Sequence, residues 1–360
     1  MHHSPLRIGV IGCGAMARTH LDILRDVPEI SPQAYSDIQL KAAQHCLETY
    51  GGRYATSDPD QLLADPALDA VLICTWHDSH APLAIAAAQA GKHIFLEKPM
   101  ALTLAECRAI EEAVTAAGVC MMLGFKFRFA PYVQRLKRAI PRPVLTVGQI
   151  VDERWPDDFW AQHPVHGGGN VLSQGVHAFD LVRYLHGRRP IRVVAGGGAL
   201  THPGSSITDT VAATIVFDDG SIAAVIVADA GRAVFTSKFF FELFAVSRSA
   251  ALHDRCHALT LVEDGTVYRF GEADLPLEDR ASPEGLLQQW REFARCVRTG
   301  SPSAIGAGPA DGRWATALAL AACEAARTGR PQEIQMEPLE GSEGENDPLD
   351  YSERRTDPRR

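Results

Sequence analysis

The sequence has no run of about 18 apolar residues and no cationic segment followed by an apolar stretch at its start, so we expect neither a membrane span nor a secretory signal. Its eight cysteines are scattered without a C-x-x-C pair, which argues against a disulfide framework or a zinc knuckle and fits the cytoplasm. It also lacks a surplus of positive charge, since the net charge is −9. Nucleic acid and anionic membranes favour a basic surface, so a small metabolite is the expected partner.

A short β-branched run at Ile8–Ile11 leads directly into closely spaced small residues. Gly12, Gly14 and Ala17 have the G-x-G-x-x-A spacing of a strand that turns sharply into a helix. Because these residues are small, they allow the tight turn, the close approach of the backbone to a pyrophosphate, and the close packing of the helix on the strand. The helix that follows would direct its free amide groups at that pyrophosphate. A dinucleotide is the predicted ligand.

Asp37 ends the next apolar run, about 20 residues after the last small residue, where a carboxylate accepts hydrogen bonds from an adenosine ribose. Its charge would repel a 2′-phosphate, and Ile38 follows it rather than an arginine. We therefore expect NAD and consider NADP less suitable. A structural turn with a surface aspartate is the alternative, which the agreement of position, spacing and flanking strands disfavours.

Short apolar runs alternate with amphipathic helical stretches up to about residue 124. This alternation predicts a doubly wound parallel sheet, an α/β domain over residues 1–125 that binds the dinucleotide. Strand-like runs between 144 and 270, a helix from about 171 to 186 and two late helices predict an α+β domain with a large, open, mostly antiparallel sheet over 126–337. Residues 338–360 have almost no large apolar side chains and are expected to be a disordered tail.

Two strand ends of the predicted parallel sheet carry polar clusters, at 75–80 and at 97–99. Lys98 emerges where its strand leaves the sheet, and Pro99 forces a turn that can include a cis bond. An ammonium group there can stabilise a substrate alkoxide, although a solvated lysine at a strand end is the plainer alternative. The residues expected to contact the cofactor are Gly12, Gly14, Ala15, Met16, Asp37, Thr75, His77, His80, Glu97 and Lys98.

A polar stripe crosses an otherwise apolar helix after the triple glycine at 167–169. Ser173, His177 and Asp180 share this face with Tyr184, at helical spacing. His177 is a candidate base whose ring its neighbours orient. The alternative is that His177 and Asp180 form a satisfied pair in the core.

Several further residues are candidates for proton relay or substrate binding: Ser173, Asp180, Lys126, Arg128, Arg154, Trp155 and Asn170. Arg128 and Arg154 either bind substrate oxygens or pair with carboxylates, and the basic residues can meet a phosphate, a carboxylate or neutral hydroxyls. Trp155 and Trp160 either pack under a loop or present a platform for sugar rings. His163 and His166 have no carboxylate or thiol at a convincing spacing, so no metal site is predicted.

In order and spacing, these motifs together resemble the Gfo/Idh/MocA oxidoreductase family. The resemblance spans about residues 6–330 and rests on the glycine turn, Thr75 to His80, Glu97-Lys98-Pro99, Gly124 to Tyr132 and Gly167 to Asp180. It implies an N-terminal Rossmann domain, a nicotinamide cofactor, and sugars, nucleotide sugars or cyclitols as substrates. It also implies a homodimer or homotetramer assembled through the C-terminal sheet.

Within that resemblance, Lys98 matches the active-site lysine and His177 the catalytic histidine. Members similar to inositol dehydrogenase usually have aspartate where this chain has Ser173, and serine cannot supply the negative charge that raises the basicity of a histidine. The leading hypothesis is an NAD-dependent oxidoreductase acting on a secondary hydroxyl or ketone of a sugar, sugar derivative or cyclitol. The alternatives are a glycoside hydrolase that oxidises its substrate transiently with bound NAD, and a non-catalytic NAD-binding regulator.

Overall fold

The computed structural model describes residues 4–336, so the predicted disordered tail lies outside the described residues. The first half of the chain forms a six-stranded sheet with the order β3-β2-β1-β4-β5-β6, and all of its pairings are parallel. Its strands are β1 (Leu6–Ile11), β2 (Ile30–Ser36), β3 (Tyr54–Thr56), β4 (Ala70–Ile73), β5 (His93–Leu96) and β6 (Met121–Leu123). The predicted doubly wound sheet is confirmed.

The connections between these strands contain α1 (Ala15–Leu24), α2 (Leu40–Tyr50), α3 (Pro59–Leu63), α4 (His80–Gln89) and α5 (Leu104–Ala117). Local sequence sets the ends of α5: Thr103 and Glu106 form a reciprocal capping box, and Gly118 ends the helix in the left-handed region. The sequence did not predict β3 or α3, because elements of three and five residues are too short to show a periodicity.

The second half of the chain forms a nine-stranded sheet with the order β14-β13-β12-β11-β7-β10-β9-β8-β15. Its strands are β7 (Leu145–Val151), β8 (Pro190–Gly198), β9 (Thr210–Phe217), β10 (Ile222–Ala228), β11 (Phe239–Phe244), β12 (Arg248–His253), β13 (Ala258–Glu263), β14 (Thr266–Phe270) and β15 (Gln332–Glu333). Among the strands of residues 4–336, only β7 and β10 pair in parallel within this sheet. The predicted mostly antiparallel sheet is confirmed, although β12 and the two-residue edge strand β15 were missed.

The helices of the second half are α6 (Pro131–Ala139), α7 (Val176–His186), α8 (Leu277–Arg280), α9 (Leu286–Thr299) and α10 (Pro309–Thr328). The continuous α-helix predicted over about 171–186 is wrong in its first part. Residues Val171–Gly175 form one turn of π-helix, and α7 starts at Val176. A π-turn changes the angular spacing of side chains, so the polar stripe inferred from α-helical spacing does not extend through Ser173.

Helix α9 packs against the first sheet, although it comes late in the chain. Trp290 is fully buried and stacks on Phe95 of β5 with ring centroids 4.0 Å apart. Phe293 contacts the same ring edge-on. The core of the N-terminal sheet is therefore completed by a C-terminal helix. The domain boundary near residue 125 stays a prediction.

Within residues 4–336, no helix combines the length and the hydropathy needed to span a membrane.

Candidate active site

The glycine turn between β1 and α1 leaves space for a phosphate group. Gly12 has a φ of +85°, and a Cβ there would lie 2.6 Å from the backbone oxygen of Cys74, so only glycine fits. Gly14, the N-cap of α1, is extended, and a Cβ there would meet no atom within 4 Å. As a glycine, the N-cap residue has no side chain with which to cap this helix end. The amide groups at the start of α1, where Ala15 and Met16 lie, are thus presented to open space, which fits a pyrophosphate.

Asp37 lies beside this turn. Its Oδ2 accepts a hydrogen bond of 2.8 Å from the amide of Cys13, and its Oδ1 accepts one of 2.8 Å from the amide of Gln39. The carboxylate is thus fixed at the end of β2, next to the glycine turn, as an adenosine ribose requires. Ile38, which follows it, is almost fully exposed and adds no positive charge.

Lys98 follows β5 and is joined to Pro99 by a cis peptide bond, as the sequence allowed. Its Nζ donates a hydrogen bond of 2.9 Å to the backbone oxygen of Ser173. Burial lowers the pKa of Lys98 to about 8, an effect that Glu97 partly offsets and that Lys126 and Lys238 reinforce. At neutral pH the group is still an ammonium ion, although a weaker base than an exposed lysine.

His177, on the first turn of α7, is buried between aromatic side chains. The rings of Phe125 and Phe127 meet it edge-on at centroid distances of 5.7 and 5.1 Å. Burial lowers the pKa of His177 well below its usual value, and the charges of Lys98, Lys126 and Lys238 lower it further. The imidazole is therefore neutral at pH 7, and its Nδ1 has no hydrogen-bond partner among residues 4–336.

A chain of hydrogen bonds ties Glu97 to the helices around it. The Nε1–H of Trp290 donates to Nδ1 of His20 at 2.9 Å, so the opposite nitrogen, Nε2, carries the proton that it shares with Glu97 Oε1 at 2.9 Å. Burial alone would raise the pKa of Glu97, but the bond from His20 and the charge of Lys98 hold that pKa at about 2. The other oxygen of Glu97 accepts from the amide of Lys98 at 3.1 Å.

Lys98 and His177 line one cavity at the carboxyl end of the parallel sheet. The residues around it are Met16, Glu97, Lys98, Gly124, Lys126, Phe127, Ile150, Gln174, His177, Lys238, Phe239 and Arg255. Five of these were candidates from the sequence: Met16, Glu97, Lys98, Lys126 and His177. Gln174, Lys238 and Arg255 were missed. Gln174 adjoins Ser173 in a motif already identified from the sequence. Lys238 precedes β11 and Arg255 lies in the turn between β12 and β13, and neither position carries a local signal.

Arg128 and Asp180 bind each other in the interior. The guanidinium of Arg128 donates to both oxygens of Asp180, at 2.5 to 3.1 Å, and also lies 3.1 Å from Asp311 of α10. Arg183 donates to the same Asp311 at 2.6 Å. The pairing of Arg128 with carboxylates is thus the alternative that the structure shows, and the carboxylate of Asp180 is held by Arg128 rather than by His177.

The loop over 154–169 packs on the segment after β4. Trp160 stacks parallel to Trp76 at 5.5 Å, and Nδ1–H of His77 donates to the backbone oxygen of Gly167 at 2.7 Å. Burial lowers the pKa of His77 to about 3, so its ring is neutral. His166 bonds to Asp78 at 2.5 Å. These contacts join the loop to the N-terminal sheet.

The remaining candidates have mainly local partners. Nδ1–H of His80 donates to Pro99 O at 2.7 Å, and Thr75 Oγ1 accepts from Ser79 at 2.6 Å. Arg154 pairs with Asp157 at 2.6 Å, and the indole of Trp155 donates to Asp152 at 3.2 Å. Asn170 is fully buried, and its amide group has no hydrogen-bond partner within residues 4–336. None of these side chains lines the cavity that holds Lys98 and His177.

Comparison with known proteins adds independent findings. The chain is 29% identical to myo-inositol 2-dehydrogenase of Thermotoga maritima over 88% of this chain and 95% of that protein. It is also 29% identical to 1,5-anhydro-D-fructose reductase of Ensifer adhaerens over 91% of this chain and 98% of that one. The structure matches levoglucosan dehydrogenase in complex with NADH with a TM-score of 0.83 at 23% identity, over 92% of this chain and all of that one.

Family models match both halves of the chain. A model described as an oxidoreductase family with an NAD-binding Rossmann fold matches residues 6–125, and a Gfo/Idh/MocA C-terminal domain matches residues 140–236. The chain therefore belongs to the Gfo/Idh/MocA family of oxidoreductases, and its N-terminal sheet is the NAD-binding Rossmann fold of that family.

Proposed function

We propose that this oxidoreductase moves a hydride between NAD and a secondary hydroxyl or ketone of a sugar, sugar derivative or cyclitol. The observation that carries the proposal is that a buried ammonium, Lys98, and a neutral imidazole, His177, line one cavity at the carboxyl end of a dinucleotide-binding sheet. The names of the relatives, which act on an inositol and an anhydrosugar, support this substrate class.

The roles of the two residues follow from their charge states. The neutral ring of His177 can accept the proton of the reacting hydroxyl, and the ammonium of Lys98 stabilises the negative charge that develops on that oxygen. Bound NAD supplies the hydride acceptor. The ammonium of Lys98 donates a hydrogen bond to the backbone oxygen of Ser173, which lies one helical turn before His177 in the chain. This bond fixes the ammonium relative to His177 before the substrate binds.

Asp37 supports NAD rather than NADP as the cofactor. A 2′-phosphate beside this carboxylate would meet like charge, and the exposed neighbour Ile38 offers no compensating cation. We expect Asp37→Ala to weaken NAD binding and to reduce the preference for NAD over NADP, as measured by fluorescence titration with both coenzymes.

A screen for NAD reduction over sugars, inositols, aminocyclitols and sugar nucleotides tests the proposal. Lys98→Met should lower kcat/KM by about 10²–10³-fold, because it removes one electrostatic contact to the developing alkoxide, with little change in NAD affinity. Arg327→Met, at an exposed pair on α10, is the matched control for loss of a cation. Full activity of Lys98→Met would refute the assignment.

Two other outcomes would replace the proposal. Cleavage of a glycoside without net NADH formation would indicate a hydrolase that uses its cofactor transiently. Absence of redox chemistry over the whole panel, with NAD-dependent binding to a protein, would indicate a regulator.

Self-association through the nine-stranded sheet completes the proposal. Val147 and Ile226 lie on the adjacent strands β7 and β10, and Val194 lies on β8 beyond β9. All three are 36–45% exposed on the outer face, an apolar face that a second copy can cover. We also propose a cytoplasmic location, which the eight free thiols support.

A further inference from the structure

Three positive side chains that the proposed hydride transfer does not use line the cavity: Lys126, Lys238 and Arg255. They come from three separate parts of the chain. Lys126 begins the turn of 3-10 helix before α6, Lys238 immediately precedes β11, and Arg255 lies in the turn between β12 and β13. Their convergence on one cavity is a product of the fold rather than of a charged stretch of sequence.

The turn that carries Arg255 has an unusual backbone. Asp254, Arg255 and Cys256 have φ values of +51°, +52° and +69°, a left-handed conformation that residues other than glycine seldom adopt consecutively. Cys256 is fully buried, and the amide of Arg255 donates to Ser237 Oγ at 2.9 Å. The bond to Ser237 holds Arg255 beside the backbone that carries Lys238. Strained turns of this kind are concentrated at binding sites.

The carboxylates nearby leave one of these positive charges unbalanced. Glu284 accepts from both Lys126, at 2.6 Å, and Arg255, at 2.8 Å, so one carboxylate serves two cations. Lys238 pairs with Asp152 at 2.5 Å. With Lys98 and Glu97, which line the same cavity, four cations face three carboxylates, in a protein whose net charge is −9. The field of these lysines also reaches His177, whose pKa Lys126 and Lys238 both lower.

We propose that the substrate carries an anionic group, a carboxylate or a phosphate, which Lys126, Lys238 and Arg255 bind while its hydroxyl faces Lys98 and His177. This inference rests on the proposed function and narrows its substrate class. A neutral polyol cannot compensate the excess charge. A carboxylate or phosphate can, and each accepts several charge-assisted hydrogen bonds from guanidinium and ammonium groups.

Matched pairs of probes test the proposal: glucose against glucuronate, glucose against glucose 6-phosphate, and myo-inositol against its 1-phosphate. For each pair, kcat/KM for NAD reduction is measured, and calorimetry gives the Kd for the protein saturated with NADH. We expect at least one anionic probe to exceed its neutral partner by about tenfold or more in both measurements, and the advantage to shrink as salt is added. The glucuronate and phosphate arms distinguish the two anionic groups.

Substitutions of the cavity residues test whether their positive charges cause the preference for anionic probes. Arg255→Gln and Lys238→Gln should each reduce the anionic-to-neutral ratio by about tenfold, mainly through KM, while the exposed control Arg327→Gln leaves the ratio unchanged. Equal binding and turnover of both members of every pair would overturn the inference without touching the proposed function. Preferential binding of an anionic probe without NAD reduction by any compound would retain the inference and refute the proposed function.

Discussion

The charge of Lys98 limits the pH range in which the proposed reaction can run. The group is protonated below its pKa of about 8, and the pKa of His177 lies well below its usual value. Activity in the oxidative direction should therefore be level near pH 7, because the imidazole is already neutral there. It should fall as pH rises through about 8, where Lys98 loses its proton. A profile of kcat/KM between about pH 5 and 10 measures both the level region near pH 7 and the fall above about pH 8.

Lys98→Arg is the control for that profile. A guanidinium stays protonated over the whole range, so the variant, at reduced activity, should lose the falling limb near pH 8. A falling limb that persists in Lys98→Arg would show that another group titrates there.

Because Gly124 has no side chain, it leaves room for the carboxylate of Glu97. A Cβ at this position would lie 2.6 Å from Glu97 Oε1, the atom that bonds to His20. Gly124→Ala should therefore displace the carboxylate and with it the backbone of Lys98. Because small misplacements of a reacting group cost up to about 10²-fold, we expect kcat/KM to fall by about tenfold or more while the NAD dissociation constant changes little.

Gly196→Ala is the matched control, because a Cβ at that position on β8 meets no atom within 4 Å. Equal activity of Gly124→Ala and Gly196→Ala would contradict the positioning role of Glu97.

At the scale of elements, a buried ion-pair cluster joins the turn of 3-10 helix before α6 to α7 and α10. Arg128→Met would leave Asp180 buried without its partner, so we expect a loss of about 3–5 kcal/mol in the free energy of unfolding, measured by urea denaturation. The double variant Arg128→Met/Asp180→Leu replaces the pair by apolar groups and should recover much of that loss. If the double variant is no more stable than the single one, the cluster acts through more than this pair.

Local sequence predicts the elements whose signals are contiguous. The glycine turn, the carboxylate at Asp37 and the strand end at Lys98 are each encoded within a few residues, and their placement follows once the strands are parallel. The strand β12 was missed because Arg-Ser-Ala-Ala has no β-branched or aromatic residue, and its conformation depends on pairing with β11 and β13.

The missed parts of the candidate site depend on contacts between distant positions. Lys238 and Arg255 lie more than 130 residues from Lys98 in the sequence, and only the tertiary fold brings them to one cavity. The partner of Arg128 was left open for the same reason, since Asp311 comes from the last helix of the described chain. Spacing along one element cannot predict such pairs.

For the whole molecule, the outer face of the nine-stranded sheet is the proposed interface for self-association. Ile226 lies on β10, near the centre of the strand order, and is 43% exposed. Ile226→Lys should place a charge in the proposed interface and shift the protein to a smaller species in analytical ultracentrifugation. Leu277→Lys, at an exposed apolar residue on α8 and away from the sheet, is the control. An unchanged sedimentation coefficient for Ile226→Lys would contradict this interface.

The position of α9 has a consequence for how the protein is made. While the ribosome synthesises the chain, the Rossmann sheet emerges long before Trp290 and Phe293, which cover the ring of Phe95 in the finished protein. The apolar surface of the nascent N-terminal half therefore stays exposed until nearly all of the chain has been translated. A fragment that ends after the last parallel strand would lack α9, and its apolar surface would stay exposed permanently.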